Sequence, residues 1–293
     1  MGLHVRHVIR EGLSRGTARS GIILMILFFL TTAVQTTFVW LATSTYLPLG
    51  TVATPPAAAG ADLPLAGTEL PNALAFQASV VASFAGGLVT IPVQVVAHRT
   101  LVSDWRTKIP EEYVLYRLGR ATLHLLVGSW VVFVLGALIF LLSAGIGIAG
   151  AVTVMTVMAS DWLVASWPGR ALVVVSSLVL LLPTVLFGIG IVFFSQEIAV
   201  RDKGVRDALV ESWRLTRGHR LRLGVLIVGP LLLHGLLGTV LSLLLTDALS
   251  QIVVVAETAV GTVLIQGIMA VAYLEVSGID PASELTTRRT DAG

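Results

Sequence analysis

The chain has 293 residues, of which 55% are hydrophobic and only 12% charged, and its net charge at pH 7 is +2. A soluble protein of this length needs a much more polar surface, so the composition excludes a soluble globular protein and indicates a multi-pass membrane protein. There is no Cys, which excludes disulfides, thiolate metal ligands and a Cys nucleophile.

Two apolar segments near the N-terminus predict the first pair of membrane-spanning helices. The segment of about 21–41 is long enough to cross a hydrocarbon core of ~30 Å. It is also longer than the ~7 to 15 apolar residues of a signal peptide, so we interpret it as an uncleaved span. The loop 44–72 contains acids but no Lys or Arg, which is typical of an external loop, and a second span is predicted at about 73–96.

The third predicted span covers about 121–143 and is followed by a long apolar segment, about 144–182. This segment is rich in Gly and contains Asp161, Trp162 and Trp167. An additional complete span here would place the Arg-rich residues 201–222 outside the cell, which the positive-inside rule disfavours. We therefore expect the segment to be external and either re-entrant or interfacial, with its Trp side chains at headgroup level.

Three further spans complete the predicted domain, at about 183–200, 224–245 and 252–276. Pro183 stands at the start of the first because its ring would break or kink a helix that ran through it. The polar tail, 277–293, is predicted to be disordered in the cytoplasm.

The distribution of basic residues sets the predicted orientation. The chain has 19 Lys and Arg residues, and only Arg170 falls on the predicted external side. The positive-inside rule then places both termini in the cytoplasm. The sequence predicts an all-α polytopic protein of the plasma membrane: a single integral domain, 1–276, with about six transmembrane helices and cytoplasmic amphipathic helices.

An amphipathic helix is predicted over 204–217, between the fourth and fifth spans, with Gly218 as its C-terminal cap. Basic residues emerge at its end, beside the bilayer surface, where each can gain ~1 kcal/mol from anionic lipid. The alternative is that they only enforce topology. The basic residues lie beside membrane spans, so we expect anionic lipid headgroups as partners, with no nucleic acid. The candidate headgroup contacts are Arg214, Arg217, Arg220 and Arg222.

Three ionisable residues fall inside predicted spans: His124 in the third, His234 in the fifth and Glu257 in the sixth. A charge at the bilayer centre costs ~2.5 to 3.5 kcal/mol on insertion scales, so each is a candidate member of an intramembrane polar site. The alternative is structural: Glu257 is protonated or near the external end, and each His is neutral and bonded to a neighbour.

Known catalytic motifs are missing from the sequence. HExxH, which supplies the ligand pair of an intramembrane zinc protease, is absent, and so is the phosphate-binding P-loop. We therefore expect no catalytic residues, no metal site and no cofactor.

Two groups of residues carry a resemblance to a family. The first comprises Pro183, Glu197-x-x-Val200-x-Asp202-Lys203-Gly204 and Ala208-Leu209-x-x-Ser212-Trp213-x-Leu215-Thr216-Arg217-Gly218-x-Arg220. The second comprises Arg99-Thr100-x-Val102-Ser103-Asp104 with Ile109-Pro110-Glu111. They resemble signatures of uncharacterised archaeal six-span membrane proteins, especially haloarchaeal ones, and that group is distantly similar to the membrane domain of some bacterial glycerophosphodiester phosphodiesterases. The resemblance implies an archaeal plasma-membrane protein and leaves its activity open.

These observations favour a non-enzymatic multi-pass protein, acting as a transporter-like or accessory component that contacts lipid or a membrane-protein partner. One alternative is a proton- or solute-coupled translocator whose pathway includes Glu257, His234 and His124. Another is a lipid-modifying membrane enzyme with an unrecognised site.

Overall fold

The computed structural model of the chain describes residues 3–46, 69–103, 105–107, 109, 116–158, 180–245 and 247–279. Within these ranges the structure is helical and has no strand, which confirms the predicted all-α class. The helices are α1 (Val5–Gly16), α2 (Arg19–Tyr46), α3 (Glu69–Val102), α4 (Leu118–Met158), α5 (180–190), α6 (Phe194–Arg201), α7 (Val205–Thr216), α8 (Arg220–Leu244) and α9 (Asp247–Ser277). Residues 280–293 of the predicted tail, 277–293, and Arg170 lie outside the described residues.

Five described helical stretches are long and apolar enough to cross a membrane. They expose large apolar side chains such as Phe133 (66%) and Leu232 (69%), as helices in contact with lipid do. The stretches coincide with five of the predicted spans, and the remaining one, 73–96, lies within α3. The five are Arg19–Val39, Leu118–Gly145, Leu180–Arg201, Arg220–Leu241 and Gln251–Ser277.

Helix α4 does not end with the predicted third span. It continues through residues 144–158 and has 41 residues in total, about 60 Å at 1.5 Å per residue. This is twice the thickness of a hydrocarbon core. The first part of the predicted external segment is therefore a continuation of this helix, while 159–179 lie outside the described residues.

The fourth span is interrupted at 191–193, and Pro183 lies in the first described turn of α5. The chain makes a turn between α5 and α6 and then resumes as a helix up to Arg201. The turn brings Ile191 and Phe193 against the neighbouring elements, and Phe193 is fully buried.

Helix α9 is the centre of the bundle, because it packs against α1, α2, α3, α7 and α8. Its second half is deeply buried, with Ile268 through Tyr273 at most 5% exposed. Small residues make this packing possible. A Cβ atom at Gly12 would collide with the backbone of Ile268, so α1 and α9 approach each other backbone to backbone.

Both described ends of the chain lie at the same end of this bundle. The amide of His4 donates to Glu275 Oε2 at 3.1 Å, and Arg222 Nη1 donates to the carbonyl of Leu3 at 3.3 Å. We call this the basic end: it comprises α1, α7, the C-terminal ends of α3, α6 and α9, and the start of α8.

Candidate functional site

His234 of α8 and Glu257 of α9 form a hydrogen bond between His Nδ1 and Glu Oε1. Each side chain lies beside a glycine on the opposite helix. His234 Nδ1 lies 2.8 Å from the position that a Cβ of Gly261 would take, and Glu257 Oε2 lies 3.6 Å from the position of a Cβ on Gly238. Both glycines follow the polar residue of their own helix by four positions, so α8 and α9 each present one polar side chain and one gap.

The arrangement can hold one proton between an imidazole and a carboxylate. With one shared proton the pair is electrically neutral overall, whether it is written as an ion pair or as two neutral groups. A neutral pair costs less between apolar helices than either charge alone, so this contact can join α8 to α9.

His124 does not belong to this pair. It lies on α4, which packs against α3, α6 and α7, and its Nδ1 is buried without a hydrogen-bond partner among the described residues. No described hydrogen bond or ion pair connects it to His234 or Glu257. The structure brings together two of the three predicted residues and separates the third.

At the basic end, Arg99 is fully buried. Its Nε donates to the carbonyl of Ala199 at 2.7 Å, and Nη1 donates to the carbonyl of Tyr116 at 2.7 Å. The last carbonyls of a helix have no partner within the helix, so Arg99 satisfies the end of α6. Arg15 does the same for α3, with Nη1 2.9 Å from the carbonyl of Leu101.

Glu197 of α6 is also fully buried, and each of its two carboxylate oxygens has a partner. The hydroxyl of Tyr273 donates to its Oε1 at 2.7 Å, and Lys203 Nζ lies 2.6 Å from its Oε2. Arg201 Nη1 lies 3.6 Å from Oε1. A buried carboxylate is tolerated only with such partners, and here they tie α6 to α9.

The turn between α5 and α6 is held by side chains of α7. The hydroxyl of Ser212 accepts the amide of Phe193 and donates to the carbonyl of Gly190, both at 3.1 Å. Thr216 donates to the same carbonyl at 3.3 Å. The interruption leaves backbone groups of the turn without helical partners. The two buried hydroxyls are the hydrogen-bond partners of these groups instead.

The four arginines predicted to contact lipid differ in their surroundings. Arg214 Nη2 is 2.6 Å from Glu211 Oε1, and Arg222 is bonded to the carbonyl of Leu3. The guanidinium of Arg220 lies 4.5 Å from the centre of the Trp213 ring, and its Nε has no described hydrogen-bond partner. Arg217 is exposed and makes no ion pair with a described residue.

A related division applies to the arginines of α1 and α7. Those that face other helices are bonded to carboxylates or carbonyls, as Arg15 is to Glu11 at 3.2 Å. Among the exposed arginines, Arg214 is paired with Glu211, whereas the others on α1, on α7 and directly after α7 have no acidic partner among the described residues. This second group comprises Arg6, Arg10, Arg206 and Arg217.

His98 is buried near the end of α3, beyond the predicted second span, and neither ring nitrogen has a hydrogen-bond partner in the described part of the chain. Burial lowers the pKa of His98 to about 4, because the protein interior disfavours the charged ring. The side chain is therefore neutral at pH 7.

Sequence reasoning did not assign roles to Arg99, Tyr273, Ser212 or Thr216. A signal existed for the last two, because they recur at four-residue spacing on the inner face of the predicted surface helix. Arg99 opens one of the two family signatures, but its position after a predicted span is typical of the interface and gave no sign of burial. Among the described residues, no three His, Asp or Glu side chains lie together in a way that could hold a metal ion.

Comparison with curated proteins and with solved structures finds no match. A family model described as a domain of unknown function, DUF7847, matches residues 3–277, which is most of the chain. The protein therefore belongs to the DUF7847 family.

Proposed function

We propose that the chain is a non-enzymatic, six-span protein of an archaeal plasma membrane that acts as an accessory component and binds anionic lipid headgroups with its basic end. The basic end faces the cytoplasm in this proposal, as the positive-inside rule requires. The proposal includes the distant likeness to the membrane domain of glycerophosphodiester phosphodiesterases, but no hydrolase activity, because no known catalytic motif is present.

The observation that carries the proposal is the division of the arginines. Inward-facing Arg15 and Arg99 are used in holding helix ends, so they are unavailable to a ligand. Outward-facing Arg6, Arg10 and Arg217 have no described acidic partner. Positive charges left without counter-ions beside apolar spans attract an anionic bilayer, at ~1 kcal/mol for each residue near the surface.

The test is the thermal stability of the purified full chain in nanodiscs of phosphatidylcholine with or without phosphatidylglycerol. We expect a higher Tm with the anionic lipid, and a difference that shrinks in 0.5 M salt, since salt screens surface charges. A Tm that is the same in both lipids at low salt contradicts the proposal.

The second candidate is a proton-coupled translocator, favoured by the His234–Glu257 pair. A shared proton within a span is the kind of group that a proton pathway uses. Against it, each side chain is bonded to the other, and His124 lies elsewhere. We therefore assign the pair to the joining of α8 and α9.

Flux measurements distinguish the two candidates. We expect liposomes that contain the wild-type chain to take up protons no faster than empty liposomes under an imposed pH gradient. We expect Glu257→Gln and His234→Ala to lower the Tm without any change in flux, and Thr37→Val, which removes a local side-chain bond on the exposed face of α2, to change neither strongly. Proton flux in the wild type that Glu257→Gln abolishes, at an unchanged Tm, would favour the translocator instead.

A further inference from the structure

The turn between α7 and α8 lies at the edge of the exposed apolar face of α8. Leu221 is 89% exposed, and large apolar residues follow it along the same face of α8 at helical spacing. These are Val225 (63%), Val228 (45%) and Leu232 (69%). The apolar face therefore begins in the first turn of α8, so the residues immediately before and around Leu221 lie at headgroup level.

Two arginines, Arg217 and Arg220, lie just before Leu221 at this level. Arg217 is exposed and has no described ion-pair partner, while Arg220 is held beside the Trp213 ring at 4.5 Å. Stacking on an indole fixes the plane of a guanidinium and leaves its N–H groups at the edge. The Nε of Arg220 is buried, whereas its two terminal nitrogens are not buried and make no described hydrogen bond, so these are the N–H groups that a ligand can reach.

The acceptor that fits is a phosphate. A guanidinium presents N–H groups in a planar fork that matches phosphate oxygens, and a phosphodiester at headgroup level is the anion that a bilayer supplies. Neighbouring carboxylates do not compete, because Glu211 is bonded to Arg214 at 2.6 Å rather than to Arg217 or Arg220.

We propose that Arg217 and Arg220 bind the phosphodiester of one anionic phospholipid at the turn between α7 and α8, with Leu221 against its acyl chains. Trp213 is a positioning residue that orients Arg220. The inference rests on the proposed function. That proposal attributes lipid binding to the basic end as a whole, and the inference assigns most of this binding to one site.

The experiment is a titration of the purified full chain in neutral detergent with short-chain phosphatidylglycerol, read as the concentration that gives half of the maximal rise in Tm. The site variant is Arg217→Gln with Arg220→Gln. The matched control is Arg10→Gln with Arg19→Gln, which removes two exposed arginines that also lack a described acidic partner. We expect the half-maximal concentration to rise on the order of 30-fold in the site variant and at most about fivefold in the control.

Each other outcome has a separate meaning. Equal losses in the two double variants overturn the site and leave general lipid binding intact. The absence of any phosphatidylglycerol effect in the wild type overturns the site and the proposed function together. The same rise in Tm with inorganic phosphate alone overturns the lipid as the ligand.

Two single variants protect the test against a folding defect. Arg217→Gln removes a side chain with no described bond, so the fold should persist and the half-maximal concentration should rise about fivefold. Arg220→Lys keeps the charge but loses the planar fork, and we expect it to bind more weakly than the wild type. Full binding in both variants would overturn the site.

Discussion

The indole of Trp213 covers Gly190 so closely that no Cβ atom fits between them. The same ring lies 4.5 Å from the guanidinium of Arg220. Trp213 thus connects the surface helix α7 to two places at once: the end of α5, where the fourth span is interrupted, and the start of α8. Ser212 and Thr216 bond to the same carbonyl of Gly190, so this contact and the hydrogen bonds act on one point of the backbone.

We expect Gly190→Ala to destabilise the protein by ~1 to 3 kcal/mol, because the added methyl group must displace the Trp213 ring from a packed position. The measurement is Tm in detergent. The control is Gly188→Ala in the same helix, where a Cβ atom meets nothing within 4 Å and a small gain from helix propensity is expected. Equal Tm values for the two variants would show that the indole does not pack as described.

Tyr273→Phe should destabilise the protein by ~1.5 to 3 kcal/mol, the usual contribution of a hydrogen bond to a charged group. The hydroxyl of Tyr273 lies 2.7 Å from Glu197 Oε1, and both side chains are fully buried. Chemical denaturation of the purified chain measures this difference. Tyr116→Phe is the control, because the hydroxyl of Tyr116 makes no described hydrogen bond and the ring contact with Arg117 is retained.

The sequence predicted those parts of the structure that depend on the apolar pattern. Five of the predicted spans coincide with described helical stretches, and the surface helix at 204–217 corresponds to α7, Val205–Thr216. Gly218 has φ +84°, as its predicted role at the helix end requires. These features follow from local periodicity and from backbone conformations that only glycine adopts at little cost.

The polar contacts between helices were not predictable in the same way. Which face of α8 meets α9 depends on packing, so the sequence could not show that His234 and Glu257 are joined while His124 is apart. Arg99 follows a predicted span, a position typical of the interface, and instead it is buried on the end of α6. Partners 100 residues apart in the chain leave no local signal for such a bond.

Gly12→Ala is expected to release α1 from α9. A Cβ atom at Gly12 would overlap the backbone of Ile268. The fit is equally tight at Gly267, where a Cβ atom would lie 2.6 Å from the carbonyl oxygen of Gly12. A backbone cannot rotate away as a side chain can, so the helices must separate. Amide hydrogen exchange across Val5–Gly16 should rise by at least tenfold. Gly119→Ala at the start of α4, where nothing lies within 4 Å, should leave that exchange unchanged.

The buried ring of His98 predicts how stability depends on pH. Its pKa is about 4 in the folded chain, against an ordinary value of 6.5, so between these two pH values the unfolded chain binds a proton that the folded chain does not. The contribution of His98 to stability is therefore fully present above pH 6.5 and is lost as the pH falls toward 4, by at most roughly 3 kcal/mol.

His98→Leu removes the proton site, so its Tm should fall less than that of the wild type between pH 7 and pH 4.5. His7→Leu, on the exposed face of α1, should follow the wild type. Parallel curves for the wild type and His98→Leu would mean that the His98 ring gains a proton in the folded protein as readily as in the unfolded chain.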